Sequence, residues 1–404
     1  MQAAERAVKE RPAVLPIARS VPYALPFGVA IFGIILTYWT IDIVSPALPE
    51  MQDDLGLSAA ATGLIFSLLF LGRLIGNFPA AWLLARIGTV GTAIAGGIVL
   101  VFGTAVVASA SGALVLFPAR VVQGIGVALL VNACLRAILG SKPGRGAAMT
   151  YFAFAATVGG VFGLQSGGYL TEEVGWRAVF VLCLAIAGII TGAAIVIRVN
   201  AARTGAPVDP APTAHGREGV ERADVLLPLI LNFLVFFNYS LFVALPLYTE
   251  HEFGASAEAN ARLLMVITVV HLLAAFPTGR VIRGWGAQRV LVAGMVIALI
   301  GTGLVYPMPG PAWIAVPMVL YGIGQVAAAS AGGDIVLHLG RQSPRSVGLV
   351  RFTSDLGLVI GPYLTGALSD AFGYGAPFLA LPVMMLIASA VALQQVVAAG
   401  ERRI

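Results

Sequence analysis

Twelve apolar runs, each near the roughly 20 residues that carry an α-helix across a bilayer, follow one another along this chain. They lie at 24–49, 61–84, 89–110, 112–137, 147–170, 177–198, 226–249, 259–282, 288–307, 311–336, 346–369 and 375–398. Inside lipid every backbone N–H and C=O must be satisfied without water, so only helices and closed barrels can span. Barrel strands read as short segments of alternating polarity, which these runs are not. The 48 glycines suit packed helices, because small residues let helices approach closely where lipid removes the usual hydrophobic drive. The expected fold class is an all-α membrane protein. Composition agrees: 11% of residues are charged and 59% hydrophobic, against roughly 25% charged in a soluble domain.

Lys and Arg resist translocation. With both termini on the cytoplasmic side, 20 of the 24 basic residues fall in cytoplasmic segments, Arg177 and Arg262 lie outside, and Arg73 and Arg120 sit within spans. The net charge of +5 is then a consequence of topology and calls for no nucleic-acid partner. The first run continues into Asp42, Pro46 and Pro49 without a small-residue cleavage site, so it reads as a span and not a removable signal. Cys134 and Cys183 both lie in spans and build no disulfide framework. No cofactor, metal site or catalytic constellation is expected.

Sliding the chain against itself by 198 residues matches Phe78 and Pro79 with Phe276 and Pro277, and Gly88 with Gly286. The same shift matches Gly124, Ile125 and Gly126 with Gly322, Ile323 and Gly324, and Gly159 and Gly163 with Gly357 and Gly361. Gly175 and Phe180 likewise meet Gly373 and Phe378. One residue less aligns Ala47, Leu48 and Pro49 with Ala244, Leu245 and Pro246. The chain is therefore read as a duplicated six-span unit: tail 1–23, first half 24–198, linker 199–225, second half 226–398, tail 399–404. An even number of spans per copy makes the copies parallel, related by an axis along the membrane normal.

Arg120, Gln123, Gly124, Gly126 and Ala128 follow an R-x-x-Q-G-x-G-x-A pattern. Gly159, Gly163, Gly167 and Gly168 follow G-x-x-x-G-P-x-x-G-G, with Leu164 in place of Pro, and Trp176, Arg177 and Phe180 come after. Asp42, Pro46, Ala47, Leu48 and Pro49 read D-x-x-x-P-A-L-P. On these residues the chain resembles the major facilitator superfamily, and more closely its twelve-span drug and proton antiporter branch. The resemblance implies a major facilitator fold and alternating access between two six-helix halves, working as a monomer with protons and a small molecule as partners. The loop signature G-x-x-x-D-R-x-G-R-R keeps only Arg86 and Gly88, so the cytoplasmic carboxylate latch is missing. No phosphate loop is present, which leaves a gradient as the energy source.

Ionisable groups within spans are expensive and mark pathways or proton relays. Asp42 and Arg120 lie at similar depth on the outer side of the middle, so a proton-coupling pair is expected, with a permanent structural ion pair as the alternative. Arg73 and Asp355 lie mid-span, and the resemblance implies that their spans face each other across the halves; they are expected to form a latch. The competing arrangement joins Arg73 to Asp42 and leaves Asp355 to Arg351. Gln123, His271, Asn238, Tyr239, Tyr321 and Gln325 are candidates for a substrate cavity. Gly159, Gly163, Gly167, Gly168, Gly357 and Gly361 are expected first as packing positions and then as gating glycines. The function expected is proton-coupled export of a small apolar or amphipathic compound from the inner membrane. Uptake of a polar metabolite or organic anion is the alternative, and a transporter-derived receptor that moves nothing is a third.

Overall fold

A computed structural model of the chain describes residues 27–140, 145–204, 226–339 and 344–383, with 386, 387 and 390. The expected tails, nearly all of the linker and the end of the last run lie outside them. Every regular element among the described residues is helical. The first run folds as α1 (Phe27–Asp42), a 3-10 turn (Ser45–Ala47) and α2 (Leu48–Asp54). Pro46 and Pro49 explain the break, since neither can donate to the preceding turn. Next, α3 (Ala59–Ala108) covers two runs, because it turns at Gly88 with φ of 70° and so divides into rods 59–87 and 89–108. Then come α4 (Ala113–Leu139), α5 (Arg145–Val174) and α6 (Trp176–Thr204).

The second copy opens with α7 (Leu226–Phe237), a 3-10 turn (Asn238–Ser240) and α8 (Leu241–Phe253). It continues with α9 (Ala257–Trp285), α10 (Ala287–Gly303), α11 (Pro311–Leu339), α12 (Pro344–Phe372) and helical residues 376–383. Among the described residues, seven helices are long and apolar enough to cross a membrane. The repeat is visible in the backbone. All six positive-φ glycines among the described residues form three pairs 198 apart: Gly56 with Gly254, Gly88 with Gly286, and Gly175 with Gly373. Ser58 and Ser256, also 198 apart, each cap a helix by accepting from the N–H three residues on.

Contacts gather α1–α6 and α7–α12 into two groups. Within the first, Gly159, Gly163 and Gly167 lay α5 on the backbone of α1 at Ile35, Trp39 and Ile43. Within the second, Gly357 and Gly361 lay α12 on α7 at Phe233 and Phe237, the same register shifted by 198. Small residues four apart on one helical face permit that approach. The groups meet along two seams, α3 with α12 and α5 with α9. Gly168 faces α9 across the second seam, where an added Cβ would stand 2.5 Å from that of Ala261, and Gly366 faces Ala59 and Ala60 across the first.

Candidate functional site

Residues four apart on a helix share a face, and α3 and α12 each turn such a pair toward the other. Arg73 and Asn77 stand on α3, Arg351 and Asp355 on α12. Arg73 Nη2 donates to Asp355 Oδ1 in an ion pair that is almost wholly buried. Asn77 Nδ2 donates to the other carboxylate oxygen at 3.2 Å. Asn132, on α4, donates to Asn77 Oδ1 at 2.8 Å, and Arg351 Nη1 donates to Asn132 Oδ1 at 3.2 Å. The Arg73 guanidinium also rests 4.6 Å from the centre of the Phe70 ring. A continuous polar chain thus crosses between the two groups in otherwise apolar surroundings, where an unpaired charge is costly.

Asp42 closes α1 at its break and is 6% exposed. Its carboxylate accepts no hydrogen bond from a described residue. An added Cβ on Gly160 would stand 2.5 Å from Asp42 Oδ2 and 3.6 Å from Thr268 Cγ2, so Asp42 sits where α1 and α5 meet α9 of the other group. Tyr38, one turn earlier, lies within electrostatic reach of Asp42, Arg73, Arg351 and Asp355. Tyr239, in the 3-10 turn that interrupts the first helix of the second copy, is within reach of Asp42 and Arg73. With Asp42 ionised the two carboxylates balance the two guanidinium groups. With Asp42 protonated the cluster carries one positive charge.

The structure does not bring Asp42 and Arg120 together. Arg120 is fully buried inside the first group, where Nε donates to Ile65 O at 2.8 Å and Nη1 to Gln123 Oε1 at 2.5 Å. Gln123 in turn donates to Thr104 at 3.0 Å, so it braces α4 against α3 inside the first group. Similar depth did not decide the pairing, because Arg120 points around its helix toward α3 and α6, with Phe180 5.9 Å away. Tyr321 donates to Asn238 O at 2.9 Å and Gln325 to Val235 O at 3.4 Å, which ties α11 to the α7 break. Both side-chain polar atoms of Asn238, the Ser240 hydroxyl and His271 Nε2 are buried without partners among the described residues. His271 lies 6.5 Å from the Tyr321 ring, and Tyr239 stacks on Phe242 at 4.2 Å. Sequence reasoning missed Asn77 and Asn132. Their signal was polarity within a span, four residues after Arg73 in the case of Asn77.

Residues 30–340 and, in a second match, 228–401 fit the description of the Major Facilitator Superfamily. The chain belongs to the Major Facilitator Superfamily. Among similar proteins, Transcription regulatory protein OpdE of Pseudomonas aeruginosa is 27% identical over 229 residues, 55% of this chain and 56% of that protein. MFS-type transporter SLC18B1 of Rattus norvegicus is 32% identical over 145 residues, 33% of this chain and 31% of that protein. The chain thus spans about half the length of the first relative and under a third of the second. Among solved structures, a bacterial homolog of the human lysosomal transporter Spinster, inward-facing and unoccupied, superposes with a TM-score of 0.75 at 17% identity, covering 92% of this chain and 97% of that one. Nucleoside transporter NupG gives 0.71 at 10% identity, covering 91% and 98%. At these identities the shared property is the major facilitator fold.

Proposed function

We propose that this chain is a secondary transporter working by alternating access, with twelve spans in two six-span halves (24–198 and 226–398) and both termini on the cytoplasmic side of the cell membrane. It exports a small apolar or amphipathic compound in exchange for protons, as a monomer, in the manner of the drug and proton antiporter branch. The observation that carries this reading is Asp42: a buried carboxylate that accepts no hydrogen bond from a described residue, at a break in its helix and close to α9 of the opposite half. Binding sites formed where membrane helices are interrupted recur in transporters. Here both copies interrupt their first helix with a 3-10 turn, at Ser45–Ala47 and at Asn238–Ser240.

Protonating Asp42 changes the charge of the central cluster by one and leaves Asp355 as the carboxylate facing Arg73. The cost of separating the halves around Arg73 and Asp355 then depends on whether a proton has arrived, and that dependence is the coupling. Arg120 serves in this scheme as an internal brace and not as the partner of Asp42. In inside-out vesicles with a pH-sensitive dye and a panel of amphipathic compounds, wild-type protein should exchange protons for at least one of them, and Asp42→Asn should lose that exchange while still reaching the membrane. Full pH-driven flux by Asp42→Asn would sink the proposal. A second reading, uptake of an organic anion, draws on Arg351, which among the described residues has no carboxylate within ion-pair distance. It predicts that Asp42→Asn moves small carboxylates without a pH gradient.

A further inference from the structure

At the end of the bundle that carries the Gly175 and Gly373 turns, α2, α5, α8 and the start of α9 line an open cavity of about 320 Å³. Its lining includes Glu50, Asp53, Glu172 and Glu250 and no Lys, Arg or His. Two arginines lie within electrostatic reach of this lining, Arg177 of Glu50 and Arg262 of Glu172, but their ion pairs are with Asp54 and Glu258, each at 2.7 Å. Four carboxylates alone describe a solvated acidic rim. Two further observations describe a site. Thr171 lines the cavity, is only 6% exposed, and its hydroxyl has no partner among the described residues, although a helical threonine can ordinarily donate to its own backbone. Glu50 takes a backbone hydrogen bond from Trp176, while its second oxygen, Oε2, is buried without a partner. These are acceptors already removed from water with nothing to accept from, and such groups cost free energy until a donor arrives.

We propose that this cavity binds a small organic cation through a primary ammonium group. An ammonium offers three donors and no acceptor, and Glu50 Oε2, the Thr171 hydroxyl and the Glu250 carboxylate supply three acceptors. No aromatic ring lines the cavity, which disfavours a quaternary ammonium, since those are held by aromatic faces. Among the described residues no group of three or more His, Cys, Asp or Glu is placed to hold a metal ion, which disfavours a divalent cation. The volume sits at the small end of ligand pockets, roughly 300 to 1,000 Å³. The site uses none of the groups in the Arg73–Asp355 cluster and stands whether or not transport is proton-coupled.

The test is calorimetric titration of the purified full chain in detergent with 1,4-diaminobutane, with 1,4-butanediol as the uncharged control and magnesium chloride at matched ionic strength. Saturable binding of the diamine, none of the diol, and at least a tenfold loss of affinity in the Glu50→Gln, Glu250→Gln double variant are expected. Thr171→Val should weaken binding severalfold. The thermal midpoint of each variant shows whether it is folded, and the wild-type titration decides the matter even where a variant is not. Absence of saturable binding, equal binding by a folded double variant, or equal displacement by magnesium would each overturn the site. None of these results touches the flux assay on Asp42, so the two proposals fail separately.

Discussion

The seam between α3 and α12 and the seam between α5 and α9 are two copies of one interface, and they agree at one end and part company in the middle. At the Gly175 and Gly373 end, Asp370 on α12 accepts from the Ala59 and Ala60 N–H groups at 2.8 and 2.9 Å. Glu172 on α5, 198 residues earlier, accepts from Glu258 N at 3.0 Å. Each carboxylate caps the first turn of a helix in the other half, whose exposed N–H groups and dipole favour an anion. Gly366 and Gly168, again 198 apart, let the backbones close beneath them. At mid-depth the correspondence is lost. Where the first seam has Arg73 and Asp355, the second has His271, with Nε2 unpartnered, and Thr157, whose hydroxyl returns to Ala153 O on its own helix. Closing the end of the bundle is backbone chemistry that both copies retain. The middle depends on side chains, and there the first seam holds an ion pair between equivalent positions where the second holds none.

The largest effect should come from the charged seam. Arg73→Ala leaves Asp355 buried with only an amide partner, and breaking a buried pair costs about 3 to 5 kcal/mol. His271→Ala, at the equivalent position, should cost about 1 kcal/mol or less, because it removes a buried polar atom that makes no hydrogen bond. Thermal unfolding in detergent reads both, and equal losses would break the comparison. The swap Arg73→Asp with Asp355→Arg should recover part of the loss. A smaller contrast concerns Gly366→Ala and Gly168→Ala. At Gly366 the added methyl meets the Ala59 backbone carbonyl, whereas at Gly168 the nearest atom is a side-chain carbon at 2.5 Å. Overpacking costs typically about 1 to 3 kcal/mol, and the Gly366 variant should lie at the upper end. The reverse order would mean that the α5–α9 seam is the more rigid one.

How much of this was legible in the sequence follows from what a one-dimensional pattern encodes. Turns needing a positive φ repeat as glycines, so Gly88 with Gly286 and Gly175 with Gly373 exposed the duplication before any coordinates. Depth is also legible, because helix rise is constant: Arg73 and Asp355 fall at one level, and the structure pairs them. Direction around the helix axis is harder to read. Asp42 and Arg120 share a depth, yet Arg120 turns inward to Ile65 and Gln123 while Asp42 turns to the second seam. The glycines named for gating show the same limit. Most of them pack within one half, and among those six only Gly168 faces the other. The role of Asn132 depends on α4 lying behind α3, which no local pattern states.

The smallest predicted effect separates the two end caps by pH. Two donors, the Ser256 hydroxyl and the Glu258 N–H, with Arg262 nearby, hold the Glu172 carboxyl below its usual value near 4.5, against a small opposing cost of burial. Because the folded-state pKa is depressed, the cap contributes its full stabilisation above the unfolded value and loses it as pH falls through the folded one. Glu172→Gln keeps an oxygen that can accept from Glu258 N but removes the charge. The cost at neutral pH should therefore be about 0.5 kcal/mol or less, the lower part of the range for an exposed charge at a helix N-terminus. The difference in unfolding midpoint between wild type and Glu172→Gln should be constant from pH 7 to pH 5.5 and shrink below 4.5, as the wild-type carboxyl takes up its proton. High salt should shrink it as well, since exposed charges are screened. A difference that survived undiminished at pH 3.5 would show that the cap acts through its shape and not its charge, and the α5–α9 seam would then have no ionisable closure at that end to set beside Asp370.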